Sequence, residues 1–276
     1  MGLTQELFGK PKAIIGMVHF PPLPGQPLYD SASGLQGIVD RVGHDLEILV
    51  ECGFDAVMFC NEGDRPYRTQ VGPEAPATMA AVISQVGRNL NIPFGVDILW
   101  DPKAAIALAK ATGAKFVREV FTGVYAADFG LWNTDPAATL SYRRQIDADH
   151  VKLFYNVTAE FATPLSSRDL ATTARSTVFS SLADAICVSG PITGEGADSA
   201  HLLAAKEAVP STTPVFANTG VKPSTVGTIL GSVDGCIVGT ALKRNGITWE
   251  EVDRERALAL LTAAAESGHW SQGRGA

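Results

Sequence analysis

Polar side chains of catalytic type recur at one place in this chain, at or just after short apolar runs. His19 follows residues 13–18, and Asn61, Glu62 and Asp64 follow 56–60. Asp97 lies inside 94–99, and Arg118 and Glu119 sit near the end of 116–120. Lys152 and Asn156 share one face of 151–157, and Ser189, Asn218 and Gly239-Thr240 end three more runs. A buried carboxylate has its pKa raised toward neutrality and then moves a proton next to a carbonyl. Asp97 and Glu119 are the candidate bases, and Glu62 is expected in the same cavity. Arg118 would steady an enolate-like charge. Lys152 is the alternative, through a Schiff base, although its place early in its run puts it low.

A second chemistry sits at the last two runs. Asn218-Thr219-Gly220 and Val238-Gly239-Thr240 bring glycines to the ends of apolar segments. Glycine lets backbone N–H groups approach an anion closely, and a short helix N-terminus after the last run adds partial positive charge. Gly190, with Thr193, Gly194 and Gly196, forms a loop able to help with that anion or to close over a ligand. The candidate ligand and phosphate contacts are therefore His19, Asn61, Asn156, Ser189, Gly190, Asn218, Gly220, Gly239 and Thr240. Lys243 either adds charge there or is solvated.

Metal evidence is thin. His44, His150 and His201 are poorly placed to share a site. His19, Glu62, Asp64 and Asp97 could converge, and such oxygen-rich ligation suits Mg²⁺ or Mn²⁺ better than Zn²⁺. Ion pairs with Arg65, Arg68 or Arg118 would use the same carboxylates and are the favoured reading. No metal ligand is assigned and no cofactor is firmly implied.

The elements that must position these residues follow from periodicity. Eight apolar, β-branched runs at 13–18, 56–60, 94–99, 116–120, 151–157, 185–188, 214–217 and 235–238 alternate with segments of helical spacing. Continuous apolar strands imply a parallel sheet covered on its outer face. Eight such units imply a (β/α)₈ TIM barrel with its site at the carboxyl ends of the strands, and the glycines of its last two runs resemble those of phosphate-binding barrels. A doubly wound open sheet is the runner-up, but His19-Phe20-Pro21-Pro22-Leu23-Pro24-Gly25 stands where its glycine-rich fingerprint belongs. One domain over 1–276 is expected. Leu3, Leu7 and Phe8 would cover the far end, 122–135 would form a long loop, and the tail from about 267 would fray. Phe129, Leu131 and Trp132 in that loop would make a lid or a partner surface.

Composition excludes other classes. Of 276 residues, 46% are hydrophobic and 18% charged, which is too apolar for a disordered chain. The net charge of −7 comes with no basic run, so no nucleic-acid groove is expected. The four cysteines show no Cys-x-x-Cys spacing and read as reduced thiols. Asn156-Val157-Thr158 matches a glycosylation sequon by chance. No run of about 18 apolar residues suggests a membrane span, and residues 1–12 do not read as a secretory signal. A cytoplasmic protein is expected, either alone or as a homo-oligomer.

The motifs resemble the BtpA/SgcQ family over Lys12 to about Ala259. The markers are Ile15-Gly16-Met17-Val18-His19 with Pro22-Leu23-Pro24-Gly25 and Pro27, Asn61-Glu62-Gly63-Asp64-Arg65-Pro66-Tyr67, Gly95-Val96-Asp97-Ile98-Leu99, Phe116-Val117-Arg118, Asp128-Phe129-Gly130, Ser189-Gly190 with Thr193-Gly194, and Asp234-Gly235 with Val238-Gly239-Thr240 and Lys243. The resemblance implies a TIM barrel. One branch of the family is associated with photosystem I biogenesis and another sits among sugar-utilisation genes. This chain departs from the family pattern at Cys60 for a Glu, Asp97 for an Asn, Trp100-Asp101-Pro102 for Arg-Asn-Asp, Glu119 for an Asn, Asn156 for an Asp, and Glu160-Phe161 for Lys-His. The expected function is an enzyme acting on a small phosphorylated, sugar-like metabolite by carboxylate-mediated aldolase, isomerase or epimerase chemistry. The alternatives are a non-catalytic assembly factor and a metal-assisted hydrolase.

Overall fold

The computed structural model of the protein describes residues 2–273. Eight strands form the barrel: β1 (Ala13–His19), β2 (Ala56–Cys60), β3 (Phe94–Asp97), β4 (Phe116–Glu119), β7 (Lys152–Asn156), β9 (Ala185–Val188), β10 (Val215–Ala217) and β11 (Gly235–Val238). They close in the order β1-β11-β10-β9-β7-β4-β3-β2, and every pairing is parallel. The TIM barrel expected from the periodicity is the one observed. Helices α2 (Gly34–Cys52), α3 (Glu74–Val86), α4 (Pro102–Thr112), α5 (Pro136–Gln145), α6 (Leu170–Ser181), α7 (Ser199–Ala208), α8 (Pro223–Ser232) and α9 (Arg254–Glu266) surround it.

Strand side chains alternate between two cores because the strand period is two. Val18, Val57, Val96, Val117 and Leu153 face the helices, while Ile15, Met58, Phe116, Phe154 and Phe216 fill the interior. The interior grades from apolar to polar along each strand. At its amino end Phe116 stacks on Phe154 at 4.7 Å and Phe154 on Phe216 at 5.2 Å. Helix α1 (Leu3–Phe8) closes this end, with the Phe8 ring edge-on to Phe116 and Phe216. At the other end of the same inward rows stand His19, Asp97, Arg118, Asn156, Ser189 and Asn218.

Two segments differ from the sequence reading. Residues 122–135 are not a plain loop. They carry a hairpin of β5 (Val124–Ala127) and β6 (Gly130–Asn133), and β8 (Ala162–Pro164) extends it into a three-stranded antiparallel sheet. The hairpin alternates with period two, burying Tyr125 and Trp132 opposite one another while Leu131 points to solvent. Four-residue strands are too short for that period to register. Nor does the chain from 267 fray over its described part. Trp270 is buried, its Nε1–H donates to Asp55 Oδ2 at 2.7 Å, and Gln272 donates to the Cys52 carbonyl at 2.8 Å. An indole with a fixed acceptor holds the tail against the barrel, a contact no local pattern announces. Residues 274–276 lie outside the described residues.

Candidate active site

A cavity of about 530 Å³ opens at the carboxyl ends of the strands. Its carboxylate side is built from Glu62 after β2, Arg118 and Glu119 on β4, and Glu160 between β7 and β8. Tyr67, Trp100 and Phe161 supply an aromatic wall. Gly220 after β10 and Gly239 and Thr240 after β11 form a rim, with Ser224 in the first turn of α8 and the cationic side chains Lys222 and Arg256. In a ring of eight strands, β10 and β11 lie across from β3 and β4. The rim therefore faces the carboxylate wall.

The wall holds four carboxyl groups around one guanidinium. Arg118 pairs with Asp97 at 2.7 Å, and both are buried. Asp97 points inward, as its strand neighbours Val96 and Ile98 require, but it lies beneath the cavity and does not line it. Burial raises Asp97 to about 6 against the pull of Arg118. Arg118 and Glu119 are adjacent, so alternation points only one of them straight inward, yet both reach the cavity. Glu119, the last residue of β4, turns over the strand end and accepts from the Trp100 N–H at 2.6 Å and from the Val120 N–H at 2.5 Å. Burial and the neighbouring Asp97 charge push Glu119 well up.

Glu62 and Glu160 line the cavity without an ion-pair partner among the described residues, as Glu119 does, but unlike Glu119 neither is held there by backbone N–H groups. Burial first, and the Glu160 charge second, raise Glu62 to about 7. Burial also raises Glu160, against the Arg118 charge and the hydrogen bond from Thr193. Tyr67 Oη stands 3.3 Å from Glu62 Oε1. Thr193 Oγ1 stands 3.2 Å from Glu62 Oε1 and 2.8 Å from Glu160 Oε2.

An amide layer lies alongside. Asn156 and Asn218 both line the cavity, and each donates to Ser189 Oγ, at 2.8 and 2.7 Å. His19 lies under Gly239, where an added Cβ would stand 3.0 Å from its ring. Burial, with Lys243 and Arg118 nearby, depresses His19 well below its usual range, so its imidazole is neutral.

Several candidate residues lie elsewhere. Lys152 faces inward at the amino end of β7, 3.3 Å from Glu6 of α1, so it belongs to the closed end and the Schiff-base alternative loses its nucleophile. Asn61 spans Leu99 N–H and Asp64 at 2.8 and 3.0 Å and does not line the cavity. Asp64 accepts the Leu23 N–H at 2.8 Å, which turns it away from His19, Glu62 and Asp97. The four do not converge, and no trio of His, Cys, Asp and Glu among the described residues is arranged to hold a metal ion. Lys243 is neither solvated nor at the rim, because it is fully buried against Asp45 at 2.5 Å. Gly190 donates its N–H to Thr219 Oγ1 at 2.6 Å and sits behind the cavity, not in its lining. Its role is steric, since a Cβ there would meet the Glu195 carbonyl at 2.3 Å.

Other lining residues escape a reading that stops at strand ends. Glu160 lies four residues beyond β7, visible in the sequence only as a departure from the family pattern. Arg256 reaches back from α9 and donates to the Ala241 carbonyl at 3.0 Å. Thr193 lies on the loop expected to serve an anion or close over a ligand and Tyr67 ends a family marker, but both meet carboxylates, a contact no local signal sets.

A family model described as the BtpA family matches residues 10–266. The chain is 45% identical over 261 residues to the putative sgc region protein SgcQ of Escherichia coli (strain K12), covering 95% of this chain and 97% of that protein. It is 32% identical over 264 residues to the photosystem I biogenesis protein BtpA of a Synechocystis species, covering 95% and 91%. Among solved structures it resembles thiamine phosphate pyrophosphorylase from Pyrococcus furiosus, with a TM-score of 0.57 at 15% identity over 93% of this chain and 98% of that one. At that identity the likeness is one of fold. No helix among the described residues is long and apolar enough to cross a membrane.

Proposed function

The chain belongs to the BtpA family, and from that premise we propose that it is an enzyme of small phosphorylated, sugar-like metabolites. The phosphate binds at the rim of Gly220, Ser224, Gly239 and Thr240, where Lys222 and Arg256 add positive charge. Glu62 moves a proton beside a carbonyl, and Arg118 stabilises the enolate-like oxygen. Asp97 and Glu119 hold Arg118 and the Trp100 turn in place. The reaction is of the isomerase, epimerase or aldolase type. The observation that carries this reading is a single cavity with proton-holding carboxylates on one side and a glycine rim with two cations on the other. An apolar, partly dry site is where such carboxylates keep a pKa near neutrality.

Ligand-observed NMR against a panel of sugar phosphates, followed by turnover assays on the binders, tests the proposal. Wild type should bind at least one member and convert it, and Glu62→Gln should bind it without converting it. Failure of the whole panel to bind would overturn the reading.

One observation favours a second reading, a non-catalytic assembly factor, in keeping with the name of the photosystem I biogenesis relative. On α6, Phe179 is 87% exposed, and Leu182, just past the helix, is 64% exposed. A face of this kind suits a protein partner or a second copy of the chain. On this reading Phe179→Ser would abolish such an interaction, and wild type would convert no member of the sugar-phosphate panel.

A further inference from the structure

Glu62 and Glu160 arrive from different walls. Glu62 follows β2 and Glu160 follows β7, three strands apart around the ring. They are joined by a single atom. Thr193, on the loop between β9 and α7, places Oγ1 at 3.2 Å from Glu62 Oε1 and 2.8 Å from Glu160 Oε2. A hydroxyl has one proton to give and lone pairs to receive. It can donate to one carboxylate, but it satisfies the other only by accepting a proton from it. The geometry is therefore complete when the two carboxyls together hold one proton. With none, one oxygen pair faces another with no hydrogen between them. With two, one carboxyl loses the charge that its hydrogen bond favours.

We infer that Thr193 joins Glu62 and Glu160 into one proton-sharing pair, in which a proton taken up by one carboxylate is passed to the other through the threonine hydroxyl. Thr193 is a positioning residue, acting through the two carboxylates. The transfer balances. The pair starts with its one proton on Glu160 and with Glu62 ionised. Glu62 takes a proton from a substrate C–H, whose electron pair goes into the enolate, and Glu160 gives its own proton to a second position on the enolate. The Glu62 O–H then donates to Thr193 Oγ1 while the Thr193 O–H passes to Glu160. Glu160 is protonated and Glu62 ionised again, and the total charge is unchanged. No oxidant, reductant or co-reactant enters. Uptake at one point and return at another is isomerase or epimerase chemistry, so the pair narrows the proposed reaction and rests on that proposal for its substrate. The groups facing the pair are consistent with one stored proton. Tyr67 Oη stands beside Glu62 Oε1, Cys60 Sγ is 3.8 Å from Glu62 Oε2, and Arg118 is the cation nearby, paired with Asp97 and acting on Glu160 and Glu119 as well, while the Asp97 charge also faces Glu62.

The test needs no substrate. The full-length protein is labelled with ¹³C at the glutamate carboxyls, and Glu62 and Glu160 are assigned from Glu62→Gln and Glu160→Gln. In wild type each of the two signals should report both steps of one coupled titration. In Thr193→Val the two steps should move together by about one pH unit, the scale of a hydrogen bond to a charged group, and Thr193→Ser should restore the separation. In Glu160→Gln, Glu62 should titrate in one step, below the upper step of wild type. Independent single-step titrations in wild type, or an unchanged separation in a folded Thr193→Val, would overturn the inference. Failure of the enzyme proposal looks different. A coupled titration in a protein that binds no sugar phosphate sinks the function and leaves the pair, whereas uncoupled carboxyls in a protein that turns one over sink the pair alone.

Discussion

At Glu62, burial beside Glu160 moves an ordinary carboxyl from 4.5 to about 7. The functional consequence has a sign. The ionised form is the base, so kcat/KM for an identified substrate should rise with pH through about 7, and Glu62→Gln should lower turnover by about 10²-fold or more. The stability consequence has the opposite sense. A pKa raised on folding contributes stability that is present below the unfolded value and lost as pH rises through the folded one. Glu62→Gln should therefore be more stable than wild type at pH 8 to 9, by on the order of 3 kcal/mol, and the difference should vanish below pH 4.5. Chemical denaturation across that range checks both signs. Asp97 should behave differently, because it is paired. Asp97→Asn leaves the Arg118 guanidinium short of its buried partner and should cost about 3 kcal/mol in urea unfolding, with turnover per folded molecule also falling because Arg118 loses the contact that places it.

The loop between β9 and α7 ties the two sides of the cavity together. Thr193 meets the carboxylates, and its neighbour Gly194 packs by Thr240, where an added Cβ would stand 3.3 Å from the threonine side chain. Gly196 lies against Gly220, which has φ +63, and a Cβ on Gly220 would fall 2.1 Å from the Gly196 nitrogen. Only glycine serves at 220, for both its backbone angle and its neighbour. Sulfate, which mimics a phosphate dianion without titrating near neutrality, should raise the melting temperature of wild type in proportion to the logarithm of its concentration above Kd. Arg256→Gln should weaken that shift, and Gly220→Ala should abolish it. A sulfate response of wild-type size in folded Gly220→Ala would remove the rim as the anion site.

Across the whole molecule, closure of the amino end of the barrel is shared by the two chain termini. Helix α1 plugs the interior with Phe8. Lys10 pairs with Asp55 and donates to the Ser271 carbonyl, and Asp55 also accepts the Trp270 indole N–H. Trp270→Ala removes a buried indole and should lower stability by about 3 kcal/mol without changing sulfate binding, because it lies at the far end from the site. Thermal unfolding with and without sulfate separates the two effects. The acidic net charge of −7 leaves Lys222 and Arg256 as local exceptions gathered at the rim.

What the sequence determined by itself is periodic. Eight apolar runs at roughly even spacing require eight buried parallel strands, and the period of two within each run decides which side chains face inward. Alternation alone makes Asp97, Arg118, Asn156 and Asn218 legible as interior polar groups, and the place of Lys152 early in its run puts it low. The tertiary structure decided everything carried by non-local contacts. Glu160, Tyr67, Thr193 and Arg256 reach the cavity from loops and a late helix, and the backbone course there is set by packing against distant segments. Lys243 and Asp45 are 198 residues apart in the chain and meet in the core. Asp97 and Glu62 are both inward carboxylates by pattern, yet one is pinned by Arg118 beneath the cavity and the other is left facing it. Alternation sets direction; depth and partner depend on how eight strands close on one another, which no single strand encodes.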